Sequence, residues 1–327
     1  MAAVRSRRFR CLRVLTIWCI ALFCSRGSAQ TLAPNALVAT ELPSNTPPAD
    51  FVFQKRVDEV NLLFTVVDHK GRFISDLKLD DLQLLDNQRP PDKIHAFQQE
   101  TDLPLRVALV VDISGSVTSR FKYEQDSAIE FFRKILRPTV DKAMVIGFNQ
   151  TMHFEQGFTN DVPALRRAVT RLKPSGETAL YDAIAFAADK LRKDSEPGTR
   201  KIIILISDGE NNMSKAIMND SEQAALRAEA PIYSLSTNEL REDEYTKGEA
   251  TLQLLSRYTG GELLRAHDKG EVARAFKQVE KALRSQYILS YKPAEFAADG
   301  HYRQVALSTR KSHLKVECRR GYFAPKE

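Results

Sequence analysis

Five consecutive aliphatic residues, 202–206 in the stretch KIIILISDG, constrain the fold of this chain more than any other feature. A strand with one face in water alternates apolar and polar side chains, whereas an unbroken aliphatic run is typical of a strand covered on both faces. Such strands occur mainly in parallel sheets that carry helices on either side. The run therefore predicts an α/β architecture for this part of the chain.

Strand patterns and amphipathic helical patterns alternate around this run. The strand pattern RVALVVD precedes the helical pattern YEQDSAIEFFRKIL. The strand patterns KAMVIGFN and MHFEQGF precede two helical patterns, DVPALRRAVTRL and TALYDAIAFAADKL. After the aliphatic run come the strand pattern PIYSLS, the helical pattern ATLQLLSRY, the short strand pattern GELLRA and the helical pattern EVARAFKQVEKAL. Regular alternation over about 180 residues predicts a mainly parallel, doubly wound, Rossmann-like sheet. We assign this α/β domain to residues 103–284.

Short β-like segments flank the α/β domain. Residues 52–102 contain VNLLFTVVD, FISDLKLDDLQLLDN and IHAFQQ, and residues 285–327 contain QYILSYKP, YRQVALSTR and LKVECRRGYFAP. A few strands cannot bury a sealed core alone. We therefore predict that the two segments pair into one small β-sandwich with the α/β domain inserted between its halves. Two separate β appendages are the alternative.

The N-terminus has the layout of a secretory signal. Arginines precede the apolar stretch VLTIWCIALF and the small-residue sequence RGSA, so residues 1–29 are predicted to be removed after Ala29. An apolar stretch of about ten residues is short for a bilayer span, although an uncleaved anchor is the alternative. Residues 30–51, which are rich in proline and small polar residues, are interpreted as a flexible leader.

Removal of the signal changes the charge and the cysteine count. The formal net charge of +6 falls to about zero, because residues 1–29 carry six arginines and no acidic residue. The charge therefore gives no argument for a nucleic-acid or anionic-membrane partner. Only Cys318 remains of the four cysteines, so the mature chain has no internal disulfide. This composition fits a bacterial periplasm, cell surface or extracellular space.

Three loops at predicted strand ends carry small oxygen-bearing side chains. DISGS contains Asp112, Ser114 and Ser116, PSGET ends at Thr178, and SDGENN contains Asp208. Doubly wound sheets bind ligands at the carboxyl ends of their strands, near the point where strand order reverses. Two carboxylates and three hydroxyls with no neighbouring His or Cys suit a hard cation, Mg²⁺ or Mn²⁺, whereas zinc prefers nitrogen or sulfur.

Other interpretations of these residues stay open. A lone D-x-S-x-S pattern is weak, because Asp and Ser are ordinary capping residues and Ser116 could begin the next helix. Neither serine lies in G-x-S-x-G, and a triad with His153 would need that side chain to reach across the sheet. A hydrolase or phosphatase with Asp112 as nucleophile beside Mg²⁺ is the stronger enzymatic alternative, although such chemistry usually uses a second acid where Ser114 stands.

The five residues together resemble the metal-ion-dependent adhesion site of von Willebrand factor type A domains. The D-x-S-x-S pattern from Asp112 to Ser116, Thr178 before ALYDAI, and Asp208 before Gly209 match that site in order and strand context. The whole layout, with an export signal and a terminal RRGYFAP, is similar to exported bacterial relatives of the family. In the family, the hydroxyls coordinate the ion and the aspartates hold its waters, and the resemblance implies these roles here.

The resemblance implies a non-enzymatic, protein-binding module. An ion held mainly by hydroxyls keeps most of its charge and seeks an anionic ligand, so the expected partner is a protein that supplies an Asp or Glu carboxylate. A scaffold with a purely structural metal is a further alternative. No stable membrane span is expected after signal cleavage.

Several residues near the site have other expected roles. Glu177 departs from the family pattern, which often has a small residue before the threonine. Its carboxylate either points to solvent or lowers the charge of the site and discourages acidic ligands. Asp182 is interpreted as a supporting or capping carboxylate, and Asn149 as a turn residue. Asn211 and Asn212 are interpreted as ordinary loop residues.

Overall fold

A computed structural model describes residues 58–99, 102–119, 121–238 and 246–326. The predicted signal, the predicted leader and the first residues of the N-terminal β segment lie outside this part of the chain. Within it, no helix combines the length and the apolar character that a bilayer crossing requires.

The described residues form thirteen strands and six α-helices. The strands are β1 (Val60–Asp68), β2 (Leu82–Asp86), β3 (Lys93–Gln99), β4 (Leu105–Asp112), β5 (Lys142–Phe148), β6 (Met152–Thr159), β7 (Arg200–Ser207), β8 (Ile232–Ser236), β9 (Leu263–Arg265), β10 (Tyr287–Lys292), β11 (Tyr302–Thr309), β12 (Leu314–Cys318) and β13 (Gly321–Phe323). The helices are α1 (Phe121–Ile135), α2 (Val162–Arg171), α3 (Leu180–Asp194), α4 (Met218–Arg227), α5 (Lys247–Thr259) and α6 (Lys269–Arg284).

The central sheet has six strands in the order β6-β5-β4-β7-β8-β9. Its neighbouring strands are parallel except for β5 and β6, which form an antiparallel hairpin. The chain passes from β4 to β5 on one side and reaches β7 on the other, so the strand order reverses at β4. The doubly wound, mainly parallel fold predicted from the sequence is confirmed.

The aliphatic run in β7 is buried on both faces of this sheet. Ile202 and Ile204 join a core cluster with residues of α1, α2 and α6, while Ile203 and Leu205 join a second cluster with residues of α3, α4 and α5. The period of two along a strand sends successive side chains to opposite faces. Helices on both faces therefore explain why the centre of this strand contains no polar residue.

The strands on either side of the α/β domain in sequence form a β-sandwich. One sheet has the order β12-β1-β10-β3 and the other β13-β11-β2. β1 pairs with β10 in the register Val60 with Tyr291, so residues from before and after the α/β domain share a sheet. Buried side chains of both sheets form one cluster, which includes Leu62, Leu84 and Leu307. The predicted sandwich is present.

Arg200, at the start of β7, contacts both connections between the α/β domain and the sandwich. Its backbone N–H donates to Pro104 O at 2.8 Å, just before β4 begins. Its guanidinium Nη1 donates to Leu283 O at 2.7 Å and to Gln286 Oε1 at 3.0 Å, where α6 ends and β10 begins. The two connections therefore lie together at the amino end of β4 and β7.

Two elements differ from the sequence prediction. Helix α4 was not predicted, because its buried face includes Ser221 and Glu222 and so lacks a clear apolar period. The stretch LKVECRRGYFAP is not one strand: β12 and β13 belong to different sheets, and the chain turns between them at Arg319 and Arg320. The backbone N–H of Arg320 donates to Tyr258 O in α5 at this turn.

Candidate metal centre

Asp112 ends β4 and is almost completely buried, with 1% of its surface exposed. Its Oδ1 accepts a hydrogen bond from the backbone N–H of Ser114 at 2.8 Å. Its Oδ2 accepts from the hydroxyl of Ser207, the last residue of β7, at 2.8 Å. The carboxylate is thus fixed across the reversal point of the sheet, and Ser207 is a contributor that sequence reasoning missed.

A chain of hydrogen bonds continues from Ser114 to the end of β7. The hydroxyl oxygens of Ser114 and Ser116 lie 3.0 Å apart, and the Ser116 hydroxyl donates to Asp208 Oδ2 at 2.7 Å. Ser116 lies in a single 3-10 turn, Gly115–Val117, whereas α1 begins only at Phe121. Its hydroxyl is therefore committed to the site and does not cap α1.

Thr178 lies between the other two loops. Gly115 N donates to Gly176 O at 3.0 Å, which joins the Thr178 loop to the loop after β4. Thr178 O accepts from the backbone N–H groups of Asn212 and Met213 at 3.1 and 3.0 Å, which joins it to the loop after β7. The structure therefore brings all three predicted loops together at one edge of the sheet.

Asn211 and Asn212 do more than the ordinary loop role predicted for them. Asn212 Oδ1 accepts from Thr178 N at 2.8 Å, and Asn211 Oδ1 accepts from Leu180 N at 3.0 Å. These amides replace the N-cap that Ala179 cannot provide to α3. The sequence did contain a signal for this role of the asparagines. An amphipathic helix preceded by alanine has no capping side chain of its own, so its first N–H groups need acceptors from elsewhere.

The remaining candidates lie around the site without entering it. Asp182 accepts from the backbone N–H groups of Lys215 and Ala216, and Asn149 Oδ1 accepts from Thr151 N in a turn. His153 Nε2 lies 3.1 Å from Thr151 Oγ1, so it is oriented by the same turn. Exposed Glu177 accepts a hydrogen bond from Asn212 Nδ2 at 2.5 Å, which holds its carboxylate at the rim.

Residues 107–210 match the family model of the von Willebrand factor type A domain. The chain contains a von Willebrand factor type A domain. A comparison with curated proteins gives no match.

Three solved structures are among those similar to this chain. BatB from Bacteroides thetaiotaomicron is 18% identical, with 55% of this chain and 100% of that chain covered and a TM-score of 0.45. The vWF domain of the type V pili tip protein Mfa5 from Porphyromonas gingivalis is 14% identical, with 55% and 94% covered and a TM-score of 0.46. The von Willebrand factor type A protein from Catenulispora acidiphila is 12% identical, with 82% and 72% covered and a TM-score of 0.48.

The oxygen site of the type A domain is electrostatically suited to a cation. Burial raises the pKa of the Asp112 carboxyl to about 6, hydrogen bonding from Ser114 opposes this shift, and the charge of Asp208 adds to it. Within the described part of the chain, neither aspartate forms an ion pair with Lys, Arg or His. Ser114, Thr178 and Asp208 are buried while Ser116 is exposed, so the site is reached from the Ser116 side.

The donor set fits Mg²⁺ or Mn²⁺. The five side chains offer only oxygen atoms, and an ion would neutralise the Asp112 carboxylate, whose charged form burial disfavours. Type A domains commonly bind a divalent metal.

A second group of possible metal ligands lies at the start of α6. His267 Nδ1 is 2.5 Å from Glu271 Oε2, and Asp268 Oδ1 caps α6 by accepting from Glu271 N at 2.8 Å. Direct contacts of a helix N-terminus account for this geometry without an ion.

Proposed function

We propose that the protein is an exported, Mg²⁺-dependent protein-binding module. Asp112, Ser114, Ser116, Thr178 and Asp208 would hold the ion, with Mn²⁺ as the alternative metal. A bound ion supplies a positive centre for an Asp or Glu carboxylate of a partner protein. The proposed contribution of this chain is to fix the five oxygen donors and to leave the Ser116 side accessible.

A single observation carries the proposal: hydrogen bonds join two buried aspartates through Ser114 and Ser116, and the Thr178 loop is bonded to the loops on either side. Among the described residues, no Lys, Arg or His forms an ion pair with either aspartate. The hydrogen bonds from Asp112 through Ser114 and Ser116 to Asp208 support an arrangement that is formed before an ion binds. Preorganised donors bind a cation without the cost of ordering loops. The same preorganisation would hold an ion firmly while a partner binds and leaves.

The binding role is favoured over a hydrolase or phosphatase. A nucleophilic Asp112 would need a free oxygen facing the substrate, but each of its oxygens accepts a hydrogen bond and the side chain is buried. Ser114, two residues later, cannot act as the acid that such chemistry usually uses. A non-enzymatic role therefore fits the geometry better.

Export is proposed from the sequence of residues 1–29. Cys318, the one cysteine among the described residues, is a free thiol. Burial raises the pKa of the Cys318 thiol to about 11, so little thiolate is present at neutral pH and the group is poorly reactive. A periplasmic, cell-surface or extracellular location follows from this proposal.

Metal dependence can be measured by thermal melting in Mg²⁺ and in EDTA. At a Mg²⁺ concentration of about 100 times Kd, binding adds about 2.7 kcal/mol and should raise Tm by about 5–10 °C. Ser116→Ala and Asp112→Ala should reduce or remove this rise, whereas Asp126→Ala, an exposed change on α1, should keep it. An equal rise in the parent and in Asp112→Ala would exclude the proposed site.

Partner binding can be measured by capture from the native cell envelope in Mg²⁺ and in EDTA. We expect a protein that is retained in Mg²⁺, released by EDTA and absent with Asp112→Ala. If Mg²⁺ raises the melting temperature but EDTA does not release the captured protein, the ion has a purely structural role. Phosphate-ester turnover by the parent that Asp112→Ala abolishes would establish the enzymatic alternative.

A further inference from the structure

The loop after β7 exposes two apolar side chains beside the candidate metal centre. Residues 211–217, here called the β7 loop, include Met213 with 53% of its surface exposed and Ile217 with 62%. Scattered exposed apolar residues are common in soluble proteins and need no explanation. Two on one short loop next to a candidate binding site are a different case, since exposed apolar area at such a place is typical of an interface.

The β7 loop is held firmly although it is exposed. Met213 N donates to Thr178 O, and the N–H groups of Lys215 and Ala216 donate to Asp182. The Ser214 hydroxyl accepts from Tyr181 N at 3.0 Å. The backbone is therefore fixed to the first turn of α3, and the apolar side chains extend from a rigid support. A rigid support lowers the entropy lost when a partner packs on them.

The position of Met213 connects the β7 loop to the metal centre. Thr178, whose hydroxyl is a proposed ligand, accepts the Met213 N–H at 3.0 Å through its own carbonyl oxygen. A partner whose carboxylate reached the ion would therefore pass close to the backbone of Met213. Methionine is enriched at interfaces because its flexible thioether adapts to different apolar surfaces.

The charges of the β7 loop also favour an acidic partner. Lys215 is exposed, and no carboxylate of the described residues lies within ion-pair distance of it. The opposite charge at the rim, Glu177, is hydrogen-bonded to Asn212. Lys215 therefore offers an acidic segment a second attractive contact besides the ion, while the Glu177 carboxylate is held in place by its hydrogen bond.

We infer that the partner presents a short acidic segment in which a bulky aliphatic or aromatic residue lies close to the metal-binding Asp or Glu, so that the apolar residue packs on Met213 and Ile217. This inference rests on the proposed function and adds the chemistry of the partner. The ion supplies attraction for any carboxylate, and the two apolar side chains supply selection among carboxylates.

The test selects binders from a displayed library of random peptides with the whole protein in Mg²⁺ and elutes them with EDTA. We expect the eluted peptides to share an Asp or Glu followed or preceded within a few positions by a bulky apolar residue. Synthetic peptides from this pool should bind about tenfold more weakly to Met213→Ser and to Ile217→Ser. Met213→Leu should bind them normally, as should Leu254→Ser, which changes an exposed apolar residue on α5.

The outcomes separate this inference from the proposed function. EDTA-released peptides that share an acid but no apolar neighbour, or that bind Met213→Ser and Ile217→Ser as tightly as the parent, would overturn the inference alone. If no peptide is released by EDTA, the metal-dependent function fails and the inference fails with it. Equal melting temperatures for all the variants would show that affinity changes come from the surface and not from unfolding.

Discussion

At the scale of single residues, two glycines bring a helix against the metal centre. A Cβ on Gly248, in the first turn of α5, would lie 2.2 Å from Asp208 O, and a Cβ on Gly209 would lie 2.2 Å from Gly248 O. Gly209 also has φ +79°, a left-handed conformation that other residues adopt only with strain. The backbone of Asp208 is therefore in direct contact with α5.

Gly248→Ala is expected to weaken metal binding, although Gly248 is not one of the proposed metal ligands. The new methyl group must displace either α5 or the Asp208 backbone, at a cost of about 1–3 kcal/mol. The expected result is a lower Tm in EDTA and a smaller Tm rise on adding Mg²⁺, both measured by thermal melting.

Gly157→Ala is the matched control, because a Cβ there would meet Phe154 only at an ordinary 3.7 Å. It should keep the full Mg²⁺ response. A Gly248→Ala protein with parental Tm and parental Mg²⁺ response would contradict the argument.

The sequence predicted which loops meet at the edge of the sheet better than it predicted the contacts that support them. That Asp112, Ser116 and Asp208 meet follows from a general rule, since parallel strands carry their loops at one edge. The Ser207 hydroxyl bond to Asp112 and the glycine contact with α5 join residues far apart in the chain. No local pattern encodes such pairs, because they depend on how the strands and helices finally pack.

At the scale of elements, the β7 loop and α3 stabilise each other. The loop supplies acceptors for the first N–H groups of α3, and Asp182 of α3 accepts the N–H groups of Lys215 and Ala216 in return. Neither element has this complete set of hydrogen bonds alone. Loss of an acceptor on α3 should therefore increase the mobility of the β7 loop.

Asp182→Ala is expected to loosen the β7 loop while the metal centre keeps its ligands. Two backbone N–H groups lose their acceptor, so amide hydrogen exchange at 213–217 should become about tenfold faster or more. Asp189→Ala is the control on the same helix, because Asp189 forms exposed ion pairs with Arg192 and Lys193. Unchanged exchange at 213–217 in Asp182→Ala would mean that other contacts hold the loop.

Elements with a clear period were predictable and the others were not. The apolar run of β7 and the amphipathic pattern of α1 each correspond to a real strand or helix. Helix α4 was missed because Ser221 and Glu222 occupy its buried face, and the strands β12 and β13 were merged because Arg319 and Arg320 carry no turn signal. Contacts with the rest of the fold determine both the formation of α4 and the break between β12 and β13.

At the scale of the whole molecule, the type A domain is an insertion in the sandwich. β1 comes before it and β10 after it, yet the two strands pair directly. Arg200 contacts both connections, at Pro104 and at Leu283. One buried arginine therefore bonds to both connections and contributes to joining the two parts.

Arg200→Leu is expected to weaken this junction. Loss of the guanidinium leaves Leu283 O and Gln286 Oε1 without that donor in a buried place, which costs about 2–4 kcal/mol. Hydrogen exchange should increase most at 283–288, with a smaller change within β4. Arg310→Leu removes an exposed arginine and should leave both Tm and exchange unchanged. Parental Tm in Arg200→Leu would refute a stabilising role for the junction.

The junction at the amino ends of β4 and β7 also determines how the protein would carry mechanical force. The candidate binding edge follows Asp112 and Asp208, at the opposite ends of the same two strands. Tension between a bound partner and the sandwich would run along these strands, parallel to their axes. The registered pairs from Leu105 with Arg200 to Val111 with Ile206 would then be loaded in shear, all at once, and would not open one after another. With a partner bound as proposed, the insertion would therefore transmit the load along the two strands.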